Sequence, residues 1–283
     1  MSTVQKNRVL DMTKGNPLRL LLVFSLPVFL GNLLQQCYNL ADISIAGHML
    51  GDAALAQIGA TSAFYSMITY FAFGLNSGFA LILSRSFGEK NSQKMKETVC
   101  WMTILAGVLA VIMLLVFVGF FQSLLRLMQT PEDVLEGASA YIGIILLGIP
   151  LTMAYNLESS LLRAVGNSVT PLYFLIFSCL VNVGLDVLFI GPLGWGIRGA
   201  AAATVLAQGG SAILGFWYIA KNYPELRFGK KELQVKAKFI GEMLATGFSM
   251  ALMSTIFSIG ILPQKLCRFT AMQQPASANR SHG

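Results

Sequence analysis

The stretch PLYFLIFSCLVNVGLDVLFIG, residues 171–191, is almost wholly apolar and carries a single charged side chain, Asp186. As an α-helix rising 1.5 Å per residue it covers about 30 Å, the thickness of a hydrocarbon core. Backbone amides in lipid must be paired within the segment, so a run of this length reads as helix. A closed barrel would show alternating strands of about ten residues instead, and none are seen. Outward from this stretch, five more such runs fall at 18–40, 56–83, 99–121, 138–157 and 200–220, and another begins at 243–262. The expected fold class is all-α: a polytopic membrane helix bundle of six transmembrane helices plus a partial seventh.

Composition agrees with that reading. Of the 283 residues 55% are hydrophobic and 12% charged, half of the roughly 25% charge usual in soluble domains. The first run is too long for a removable leader, and Asn39-Leu40-Ala41-Asp42 offers no small-residue cleavage site. Cys37, Cys100, Cys179 and Cys267 lack paired metal-ligand spacing; the first three lie in apolar runs and read as small hydrophobes.

The net charge of +7 is a topology signal rather than a nucleic-acid footprint. Basic residues gather on one side of the alternating spans. Lys6, Arg8, Lys14 and Arg19 precede the first; Arg85, Lys90, Lys94 and Lys96 follow the second; Arg163 follows the fourth; Lys221, Arg227, Lys230, Lys231, Lys236 and Lys238 follow the sixth. The opposite loops hold only Arg126 and Arg198. The N-terminus is therefore expected in the cytoplasm and the chain in the plasma (inner) membrane.

Five segments follow: a cytoplasmic stretch 1–17, a six-helix lobe 18–220, a basic linker 221–242, the start of a second lobe at 243–262 and a polar tail 263–283. Thr246-Gly247-Phe248-Ser249 echoes Phe24-Ser25-Leu26-Pro27 in character, as though the first span were starting again, which suggests parallel repeats. The abrupt change after Gly260 reads as an aberrant or truncated end, with a second lobe expected in the complete protein.

Within the spans, Asp42 and Asp186 call for explanation, because an acidic side chain at mid-membrane costs about 2.5–3.5 kcal/mol on insertion scales. Gln35 and Tyr38 share a helical face with Asp42; Ser178 and Asn182 precede Asp186 at i, i+4 spacing; Thr204 and Gln208 lie one turn apart at the start of the sixth span. All three stripes meet at similar depth. Two carboxyls among amide, phenol and hydroxyl oxygens in low dielectric suit a proton or a hard cation such as Na⁺, with Asp42, Asn182, Asp186 and Thr204 as its ligands. Taken alone, Asp42 also fits an interfacial helix end, Asp186 a side chain reaching outward, and Asn182 a bond between helices. Pro27 and Pro150 are expected to kink spans one and four, and Gly74/Gly78 and Gly199/Ala203 to let helices approach closely. His48 is expected in an outer loop.

Several segments, in order, resemble the MATE family, the multidrug and toxic compound extrusion transporters. They are Thr13-Lys14-Gly15-Asn16-Pro17, Tyr38-Asn39-Leu40-Ala41-Asp42 with Gly47-His48, Gly74-Leu75-Asn76-Ser77-Gly78, Leu162-Arg163-Ala164-Val165-Gly166-Asn167, Asn182-Val183-Gly184-Leu185-Asp186 and Gly196-Ile197-Arg198-Gly199 running on to Thr204. The resemblance covers nearly all of 12–260 and is nearest the DNA-damage-inducible-like bacterial branch. It implies two six-helix lobes, alternating access, and export of cationic or amphipathic compounds in exchange for H⁺ or Na⁺. It also implies no cofactor beyond the coupling ion, no enzyme activity, and partners limited to substrate, membrane lipid and the second lobe. The family's ion cluster is similar to Tyr38, Asp42, Asn182, Asp186 and Thr204, with Asn156 a further member. A lipid-linked oligosaccharide flippase of related plan would need a cationic mid-membrane cavity, and a prenyltransferase would need Asp-x-x-x-Asp motifs, which do not occur. The remaining alternative is an inactive membrane fragment.

Overall fold

The computed structural model describes residues 16–127, 132–233 and 237–273. Eight α-helices and two 3-10 turns make up nearly all of them: α1 Pro17–Leu50, α2 Asp52–Gly88, α3 Ser92–Leu127, α4 Glu132–Leu147, α5 Ile149–Ala164, α6 Val169–Ile190, α7 Ile197–Asn222, the turns Pro224–Leu226 and Lys230–Leu233, and α8 Ala237–Gln273. The expected segment 1–17 lies outside the described residues up to position 15, as do linker positions 234–236, the polar end from 274 onward and with it His282.

Among the described residues, six helices are long and apolar enough to cross a membrane, and α4 and α5 form a bent pair that passes the same test together. The chain is a multi-pass membrane protein. Its helices outrun the apolar runs that announce them. The run at 18–40 sits in a 34-residue helix, about 50 Å long, because the helix continues into the interfacial layers where polar residues carry no penalty.

Local chemistry sets the breaks. Asn16 caps α1, its side-chain oxygen accepting from the Leu18 amide at 3.0 Å. α1 ends at Gly51, whose φ of 80° suits glycine, and α2 starts at the next residue. The chain bends by 49° between α4 and α5. Pro150, in the first turn of α5, has no N–H to continue the α4 ladder, and Gly148 at the corner lies where a Cβ would strike Val205 of α7. Helix α1, by contrast, runs on through Pro27.

Packing follows the rule for lipid, where apolar surface gains little by leaving the acyl chains and close backbone approach does the work. Gly74 and Gly78 of α2 lie against α8: a Cβ on Gly78 would come within 2.6 Å of the Thr246 carbonyl, and one on Gly247 within 2.5 Å of Phe79. Gly199 of α7 packs on Phe189 of α6. Phe79, Met102, Ile142, Ile149 and Met153 fill the centre, while Leu22, Leu115 and Ile213 face outward to lipid.

Two expectations are corrected. His48 is not in a loop: it occupies the last turn of α1, its ring nitrogen 3.0 Å from the Ser44 carbonyl. Nor is Arg163, which lies in the last turn of α5. Each helix simply extends further than its apolar run.

Candidate functional site

Three helices bring the polar stripes together. Asp186 and Asn182 stand one turn apart on α6 and are wholly buried. Thr204, on α7, is 3% exposed, and Tyr38, on α1, is 8% exposed. Asp42 follows Tyr38 by one turn and is partly buried, two turns short of the end of α1 rather than at it. With its amide nitrogen turned to the carboxylate, Asn182 donates to Asp186 Oδ2 at 3.0 Å and accepts from the Thr204 amide at 3.2 Å. Thr204 Oγ1 donates to the Ala200 carbonyl at 3.1 Å.

One carboxyl oxygen of each aspartate is unsatisfied. Asp42 and Asp186 face one another closely enough to share a hydrogen bond, yet Asp42 Oδ1 and Asp186 Oδ1 have no donor. The Tyr38 hydroxyl, beside Thr204, is also enclosed without a partner. Two carboxylates facing each other in low dielectric cannot both stay charged and bare. A proton shared between them, or a cation taking oxygens from both, removes the conflict.

The remaining candidates lie nearby. Gln35, Asn156 and Gln208 line a cavity of about 410 Å³ bounded by α1, α2, α5, α6 and α7. Gln208 sits one turn from Thr204 and accepts from Thr152 Oγ1 at 2.7 Å. Gln35 donates to Asn39, and Asn156 donates to the Thr152 carbonyl. Asn39, three residues before Asp42 on α1, and Gln208 both line this cavity. Ser178 is buried one turn before Asn182 and does not line it.

Sequence reasoning missed four groups here. The phenols of Tyr65 and Tyr141 lie within electrostatic reach of Asp42, but a tyrosine in an apolar run gives no signal of its own. Glu158 of α5 is wholly buried, and Arg163 lines the cavity. Both fall just past the end of the 138–157 run; the continuing pattern of Leu157, Leu161 and Leu162 was the cue to a longer helix.

Comparison with known proteins places the chain. The family model MatE matches residues 27–188. The chain is similar to the probable multidrug resistance protein YpnP of Bacillus subtilis (strain 168), 35% identical over 262 residues, which cover 88% of this chain and 58% of that protein. It resembles the solved outward-facing conformation of a multidrug resistance MATE family transporter with a TM-score of 0.81 at 24% identity, over 88% of this chain and 55% of that one. The inward-facing conformation of such a transporter gives 0.73 at 25% identity, over 80% and 51%. The chain spans about half the length of the relatives it matches.

Proposed function

This chain belongs to the MatE family, and from that premise we propose that it supplies the ion-binding lobe of a multidrug efflux antiporter. The whole protein exports cationic or amphipathic compounds across the cell membrane in exchange for H⁺ or Na⁺ by alternating access, with the N-terminus in the cytoplasm. The observation that carries the reading is the facing pair Asp42 and Asp186, drawn from α1 and α6, with an unpartnered oxygen on each.

The coupling works through that pair. When empty and charged, the two carboxylates push α1 away from α6. A proton or Na⁺ lets the helices close, with Asn182 holding Asp186 against Thr204 so that the responding partner is Asp42. The ion has differential affinity for the two arrangements, which is what couples its entry to the movement of the lobe.

The test is gradient-driven ethidium efflux from proteoliposomes of the whole protein. Asp186→Asn keeps the shape of the side chain and removes the exchangeable charge. Efflux should fall to the level of empty liposomes under both H⁺ and Na⁺ gradients. Undiminished efflux in the folded variant contradicts the proposal.

A further inference from the structure

The cavity lined by Gln35, Asn156 and Gln208 has a charge character of its own. Among the described residues lining it, Arg163 is the single formally charged side chain and none is a carboxylate. Its Nε is enclosed and has no acceptor. A guanidinium offers five N–H donors and stays charged at any working pH, so an enclosed donor left bare is costly. The carboxyl whose field reaches it, Glu158, does not line the cavity: Oε1 accepts from Ser159 Oγ at 3.3 Å, Oε2 is enclosed without a partner, and the group is pressed against Gly215 of α7, where a Cβ would collide with it. No salt bridge joins Glu158 to Arg163. Ser168 and Pro171 also line the cavity, so the positive end of the 22-residue helix α6 faces it. Tyr65, Phe73 and Tyr155 supply flat apolar surface beside it.

We propose that this cavity binds an amphipathic anion, an aromatic or apolar body bearing a carboxylate, sulfonate or phosphate whose oxygens take the N–H groups of Arg163. An organic cation would meet a guanidinium there and no carboxylate among the lining residues. The lobe then has two sites of opposite preference, one for the coupling cation and one for an anionic ligand. This inference rests on the cavity and is independent of ion coupling.

The test is calorimetric titration of the purified chain in phosphatidylcholine nanodiscs with naphthalene-2-sulfonate, and with the matched cation naphthalene-2-trimethylammonium. Saturable sulfonate binding is expected, with the cation at least about tenfold weaker. Arg163→Gln should weaken the sulfonate by about tenfold or more, as loss of a charge-assisted hydrogen bond does, and Arg163→Lys should restore part of it. Glu158→Gln removes the competing negative charge and should tighten binding, which keeps the question decidable if Arg163→Gln does not fold. Equal binding of the two probes, or sulfonate binding indifferent to both substitutions, overturns the proposal. Adding phosphatidylglycerol separates the two sources of anion: displacement of the sulfonate identifies a lipid headgroup, and undiminished binding a water-soluble ligand.

Discussion

At the scale of the residue, the account turns on how Asp186 is held. Asn182 gives its carboxylate one donor and leaves the other oxygen bare, open to the proposed coupling ion. Asn182→Ala removes that donor, and loss of one such bond is worth about 1–2 kcal/mol. The apparent affinity for the coupling ion, read from the ion dependence of efflux, should weaken roughly tenfold while maximal efflux is kept. If Asp42 and Asp186 act on one ion, Asp42→Asn alone should also bring gradient-driven efflux to the empty-liposome level, and undiminished efflux in that variant would mean that Asp42 lies outside the site. This part of the site was legible because Asn182 and Asp186 sit at i, i+4 inside a run that otherwise holds no charge. Tyr65 and Tyr141 were not legible, since their proximity to Asp42 arises from the crossing of three helices and leaves no local mark.

At the scale of the element, glycine decides the contact of α2 with α8. A methyl at Gly78 would fall 2.6 Å from the Thr246 carbonyl and 2.7 Å from the Gly247 Cα, backbone atoms that cannot swing aside. Gly78→Ala should therefore force the helices apart and lower the melting temperature in detergent, with a cost of about 1–3 kcal/mol. Gly59→Ala is the control, since nothing lies within 4 Å of its Cβ position, and its melting should be unchanged or slightly higher. The existence of each helix, the small-residue faces and the break beside Pro150 could all be read from run length and residue type. Helix ends could not, because polarity marks where lipid stops and says little about where the backbone ladder stops. That is why Arg163 and Glu158 were set outside the membrane bundle when both lie within α5.

At the scale of the whole molecule, the asymmetry of Lys and Arg predicts which loops face the cytoplasm. Asn91→Cys, between α2 and α3, should resist a membrane-impermeant maleimide in intact cells, and Gly194→Cys, between α6 and α7, should react. The reverse pattern would invert the bundle. The chain spans about half the length of its relatives, so the proposed ion site can be tested on the chain itself, whereas the proposed export needs the whole protein. The most direct measurement is infrared difference spectroscopy of the purified chain in lipid, with and without Na⁺ and across pH. A protonated-carboxyl band that is displaced by Na⁺ and disappears in both Asp42→Asn and Asp186→Asn is the predicted result. A carboxyl signal that survives both substitutions unchanged, or its absence from the native chain at every pH and Na⁺ concentration, would contradict the assignment of the pair as the coupling site.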